Sequence, residues 1–89
     1  MPVFMVERRF AEQLEADAEA AAEINRINDA EGVRWLSSFL SADKRKTFCL
    51  YESPDPGAIH RAAVRAGLPA DAIVELSGEI ASDGSFAPI

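Results

Sequence analysis

The stretch GVRWLSSFLSADKRKTFCLYESPDP, residues 32–56, is the part of the chain on which the fold turns. From Val33 to Leu40, the residues Val33, Trp35, Ser37 and Phe39 alternate with Arg34, Leu36, Ser38 and Leu40. From Thr47 to Glu52, Phe48, Leu50 and Glu52 alternate with Thr47, Cys49 and Tyr51. A period of two, rich in aromatic and β-branched residues, is the mark of a strand. Ser41-Ala42-Asp43-Lys44-Arg45-Lys46 between them is short and polar, so the two strands fold back on each other as an antiparallel hairpin. Ser53-Pro54-Asp55-Pro56 then starts a helix. Asp55 caps its free N–H groups and Pro56 sits in its first turn, where the missing N–H costs nothing.

Downstream, Ile59, Ala62, Ala63 and Ala66 make the apolar stripe of that helix and Gly67 stops it. Leu68-Pro69-Ala70-Asp71 leads into a last strand, Ala72 to Leu76. Upstream, Val3 to Phe10 alternates as a strand, with Phe4, Val6, Arg8 and Phe10 in one phase and Val3, Met5, Glu7 and Arg9 in the other. The Ala- and Glu-rich run from Glu12 to Asp29 has no Gly or Pro and places Leu14, Ala18, Ala21, Ile24 and Ile27 on one helical face. Gly32 marks its end.

Strand, helix, hairpin, helix, strand is the order of an α+β, ferredoxin-like βαββαβ domain: a four-stranded antiparallel sheet with two helices on one face. The domain occupies residues 1–77, and 78–89 is a C-terminal tail whose Phe86 and Ile89 suit docking on the body or on a partner. The strands are apolar on both sides, so the face of the sheet away from the helices needs cover. A second copy of the chain supplies it most simply, which makes a homodimer the expected state.

The composition narrows the function classes. With 15 acidic against 9 basic residues the net charge is −6, a poor match for the phosphate backbone of a nucleic acid. The one basic run, Lys44-Arg45-Lys46, falls in the turn and is expected to be solvated. No run approaches the length of a membrane span. The start of the chain does not have the layout of a signal peptide, and the single cysteine excludes an internal disulfide. A soluble, cytoplasmic protein that binds neither nucleic acid nor membrane is the expectation.

The candidates for chemistry are few. His60, the one histidine, lies on the flank of the second helix without a partner at metal-ligand spacing, and the plainer role for it is packing at the boundary. Cys49 lies mid-strand between apolar neighbours, as a buried, inert thiol does. Glu15, Glu19 and Glu23 form an i,i+4 row that reads as a solvated face. Glu7 and Glu52 stand near the ends of otherwise apolar strands that are neighbours in this topology. They therefore become candidates to line one pocket, with Arg8 or Arg9 as counter-ions and Trp35, Phe39 and Tyr51 as its apolar wall. The ligand-binding set drawn from this reading is Glu7, Trp35, Tyr51 and Glu52. A structural Glu–Arg pair at a dimer edge is the alternative for the carboxylates. No residue qualifies as catalytic.

Several separated strings resemble one bacterial family. They are Phe4-Met5-Val6-Glu7-Arg8, Glu31-Gly32-Val33-Arg34-Trp35, Thr47-Phe48-Cys49-Leu50-Tyr51-Glu52-Ser53-Pro54 and Gly67-Leu68-Pro69-Ala70-Asp71-Ala72-Ile73-Val74-Glu75. Across most of residues 3 to 76 the chain resembles the nickel-binding-protein-like family, formerly a domain of unknown function. The resemblance implies a ferredoxin-like dimer and, by resemblance alone, nickel as a divalent metal. The family's imidazoles have no counterparts in Glu7-Arg8-Arg9 or on the first helix, so no metal ligand carries over. The expected function is a dimeric protein that binds a metal ion or small ligand at the sheet and dimer interface. The alternatives are a small cofactor-free enzyme of the dimeric α+β-barrel type, monooxygenase- or isomerase-like, by fold analogy, and a structural or regulatory role in an assembly.

Overall fold

A computed structural model describes residues 1–89. Its elements are β1 (Val3–Arg9), α1 (Ala18–Ala30), β2 (Arg34–Leu40), β3 (Lys46–Glu52), α2 (Pro56–Ala66), β4 (Ala72–Leu76) and a terminal hairpin of β5 (Gly78–Ile80) and β6 (Phe86–Pro88). The first four strands pair antiparallel in the order β2-β3-β1-β4. The expected α+β, ferredoxin-like βαββαβ arrangement is thus the fold. β1 and β3 lie at its centre, in register from Val3 opposite Glu52 to Arg9 opposite Lys46.

Strand alternation sends Phe4, Val6 and Arg8 of β1, with Thr47, Cys49 and Tyr51 of β3, to the helix side, and all six are buried. Ala58 and Ile59 of α2 close over this face together with Val33. α2 follows its sequence signals closely. The Asp55 carboxylate accepts the Ala58 N–H at 2.8 Å, and Gly67 ends the helix at φ 69°, in the left-handed region where a β-carbon is disfavoured. Ala58, Ile59, Ala62 and Ala63 are all buried. Buried Ser53 joins β3 to α2, its hydroxyl donating to the Asp55 carbonyl at 2.6 Å.

α1 departs from expectation. It begins at Ala18 rather than near Glu12, because Asp17 is its N-cap and accepts the Glu19 N–H at 3.0 Å. Residues 10–14 are instead tied to the β2–β3 turn: Phe10 N–H donates to the Arg45 carbonyl at 2.8 Å and Leu14 N–H to that of Lys44 at 2.7 Å. The apolar stripe of α1 is only half-buried at Ala21, Ile24 and Ile27, and Asn28 is its one fully buried side chain. α1 thus presses less of its surface into the sheet than α2, which buries four side chains there.

β2 carries a bulge between Trp35 and Ser37. A bulge inserts one residue and reverses the alternation beyond it. The expected grouping of Val33, Trp35, Ser37 and Phe39 on one side is therefore broken. Trp35 faces the helices across from Tyr51, whereas Phe39 pairs with Phe48 on the open face and is 60% exposed.

Residues 78–89, expected as a plain tail, form a hairpin around Asp83-Gly84, with Gly84 at φ 87°. The Phe86 ring lies where a β-carbon at Gly78 would stand. Ile80, Phe86 and Ile89 remain exposed.

The cap on α2 offers a direct check. Asp55→Ala is expected to cost about 1 kcal/mol, which lowers Tm by roughly 4–8 °C in a domain of this size. Asp55→Asn should recover most of the loss in the same thermal melts.

Candidate functional site under the first helix

The loose seat of α1 opens a cleft between that helix and the sheet. Its outer part has a volume of about 480 Å³ and runs past Leu14, Ala21, Ile24, Trp35 and Leu40. A smaller pocket of about 110 Å³ shares Leu14, Ile24, Trp35, Ser38 and Thr47 with it and reaches inward to Arg8, Cys49, Tyr51 and Leu68. Sites of a few hundred Å³ with mostly apolar walls and a few polar groups suit small organic molecules.

Trp35 and Tyr51 form the shared wall. Their ring centroids are 6.5 Å apart with planes at 21°. The β2 bulge also turns Ser38 to this side, where its Oγ accepts the Trp35 indole N–H at 2.8 Å. The Tyr51 hydroxyl accepts from Arg8 Nη2 at 3.3 Å, and the guanidinium lies 5.7 Å from the ring centroid. Burial holds the Tyr51 phenol above its ordinary value of 10.0, outweighing the opposite pull of the Arg8 charge. The phenol is neutral at any physiological pH. Behind it lies the side chain of buried Asn28, near enough to interact with the phenol, although its amide nitrogen makes no hydrogen bond of good geometry.

The two carboxylates of the expected site are elsewhere. Glu7 and Glu52 both lie on the open face, but Glu7 pairs with Phe48 and Val3 pairs with Glu52. That register offsets them by four positions along the strands, about 13 Å, so they share no pocket. Trp35 and Tyr51 are brought together on the helix side, with the sheet between them and both glutamates. Glu7 accepts from Lys46 Nζ at 2.5 Å and more weakly from Arg9 at 3.4 Å, whereas Arg8 points to the opposite face. Lys46 is consequently the first residue of β3 and an ion-pair partner, not a solvated turn residue as expected. Glu52 has only Arg34, at 3.9 Å.

Arg8 is the functional candidate that this reading of the sequence misplaced. Its signal was present: it shares the phase of Phe4 and Val6 along β1, and that phase faces the core. His60 is exposed on α2, and Cys49 is buried as expected. The chain brings no group of three or more His, Cys, Asp or Glu side chains into a metal-holding cluster. No helix is long and apolar enough to cross a membrane.

The profile of the SCO4226-like family, described as nickel-responsive proteins, matches residues 4–76, and the chain belongs to that family. A similar solved structure is that of SCO4226 from Streptomyces coelicolor A3(2). It superposes with a TM-score of 0.73 at 26% identity, over 83% of this chain and 94% of that one. No curated protein matches the chain. The family description points to nickel, but this chain's donor set does not fit a nickel centre within one subunit. Imidazole and thiolate are the ligands that favour late transition metals, and here the single imidazole is on the surface and the single thiol is isolated in the core.

Two ion-pair sites give the fold an acid limit. Lys46 holds the Glu7 carboxyl below its ordinary value of 4.5. Arg65 and then Arg61, both on α2, do the same for Glu31 at the end of α1, at 3.0 and 3.2 Å. A carboxyl lowered in the folded state stabilises the fold fully above its unfolded value, and that contribution is lost as pH falls through the lowered value. Thermal melts taken from neutral pH down to about pH 3 should show Tm falling below the ordinary glutamate range. The fall should be shallower in Glu7→Gln and in Glu31→Gln.

Proposed function

As a member of the SCO4226-like family, the chain is one that we propose works as a homodimeric binding protein, holding a small organic molecule in the cleft under α1. The observation that carries this reading is the cleft itself: a cavity of about 480 Å³ with apolar walls, joined to a polar inner end at Arg8 and Tyr51. The inner pocket is lined by no carboxylate and no imidazole, which favours binding over acid–base catalysis. A metal-binding role, the other function suggested by the family description, draws no support from the donor set of a single chain.

The open face of the sheet supports the dimer. Met5, Phe48 and Leu50 are only partly covered there, and Phe39 and Val74 are 60% and 54% exposed. Contiguous apolar surface of this kind on a small domain marks an interface. The charged rim formed by Glu7, Lys46, Arg34 and Glu52 is the polar border such an interface carries. A second copy set face to face would bury both apolar sheets, and the exposed Ile80, Phe86 and Ile89 of the terminal hairpin would extend the contact.

Two measurements test the reading. In solution the protein should have twice the 9.6 kDa mass of one chain, and Leu50→Glu should yield a folded monomer by light scattering. A monomeric parent at micromolar concentration removes the dimer. Trp35, the chain's one tryptophan, lines both parts of the cleft and reports its occupancy. Titration with six- to twelve-carbon alcohols and acids should shift its emission, and Ala21→Phe, which fills the outer cleft, should abolish the shift. No response to any member of the panel removes the binding function.

A further inference from the structure

Arg8 is 4% exposed, at the inner end of the cleft. A guanidinium keeps its charge at every physiological pH and offers five N–H donors in a planar fork. The chain answers with neutral acceptors only: the Pro69 carbonyl at 2.5 Å from Nη1 and the Tyr51 hydroxyl at 3.3 Å from Nη2. None of the six ion pairs includes it. An isolated buried cation is strongly disfavoured unless an opposite charge accompanies it. The other arginines of the chain are exposed. Arg8 alone is taken from water without a carboxylate, and it lines a cavity.

We infer that the cleft takes a small amphipathic monoanion, a carboxylic acid with an apolar body, whose carboxylate pairs with the Arg8 guanidinium while its body lies under α1. The inference rests on the cleft being a ligand site and names the class of its ligand. A carboxylate matches the guanidinium fork with two parallel hydrogen bonds. Phe10, Leu14, Ile24, Trp35 and Leu68 surround the path from Arg8 to the outer cavity with apolar surface. Arg8 is the only basic residue lining either part, whereas Glu15 and Asp17 line the outer part. One cation inside and two carboxylates outside orient the ligand with its anionic head inward. The same arrangement disfavours a phosphate group, which brings roughly two negative charges near neutral pH to a single guanidinium.

Decanoate, methyl decanoate, decan-1-ol and inorganic phosphate are the probes, read by Trp35 emission and by thermal shift on the intact chain. Decanoate should bind at least tenfold more tightly than its ester or the alcohol, and phosphate should produce no shift. Arg8→Met, which replaces the buried cation with an apolar side chain, should bind decanoate and its ester alike. Arg8→Lys, which keeps the charge and loses the fork, should retain a reduced preference for the acid. Equal binding of acid and ester by the parent protein overturns the inference and leaves the cleft as an apolar binding site. Phosphate binding as tight as that of decanoate also overturns it. Silence of Trp35 and of Tm toward all four probes overturns the inference and the cleft's binding function together.

Discussion

β1 and β3 run antiparallel through the centre of the sheet, and the register between them assigns every side chain on these strands to one of two environments. With Val6 opposite Cys49, the residues Phe4, Val6, Arg8, Thr47, Cys49 and Tyr51 all turn toward the helices. Met5, Glu7, Phe48 and Leu50 all turn away. A slip of one residue in either strand would exchange that strand's sets. Burial of Val6 at 0% and Phe4 at 2% exposure holds the register in place, and the Glu7–Lys46 pair on the opposite face agrees with it. The same register that forms the core also places a guanidinium on the buried side.

The two helices use this core unequally, and the difference creates the cleft. α2 is stopped by a left-handed glycine and buries Ala58, Ile59, Ala62 and Ala63 directly on the sheet. α1 starts late at Asp17, and only its Asn28 is fully buried. The chain before it, around Leu14, is held to the β2–β3 turn by backbone hydrogen bonds, so it lines the cavity without filling it. Glu31, bonded to Arg61 and Arg65, ties the far end of α1 to α2. α1 is therefore anchored at its C-terminal end while its N-terminal half spans a gap.

Much of the fold was legible in local chemistry. Period-two alternation in residues 3–10 and 47–52, the Asp55-Pro56 start and the Gly67 stop each report a nearest-neighbour preference, and each is realised to within one residue of where the residues indicate. The misread positions share a different cause. The β2 bulge leaves no mark in a string of Ser and Leu residues, yet it moves Phe39 to the opposite face of the sheet. Asp17 was obscured as a cap because Ala and Glu surround it on both sides. The Asp83-Gly84 turn signal was present, but its flanking strands are only three residues long, too short for alternation to be recognised.

Sequence alone determined the order of the elements, the antiparallel hairpin and the ferredoxin-like α+β arrangement, because these follow from periodicity and capping within a few residues. It also singled out Trp35 and Tyr51, whose size and position next to apolar strands mark them for a pocket wall. The tertiary structure decided that Glu7 and Glu52 stand apart, that Arg8 lies buried without an acidic partner, and that the cavity opens beneath α1. Those outcomes depend on register between strands, on a bulge and on how closely a helix approaches a sheet. Each is a distance between residues far apart in the chain, and no local pattern encodes it.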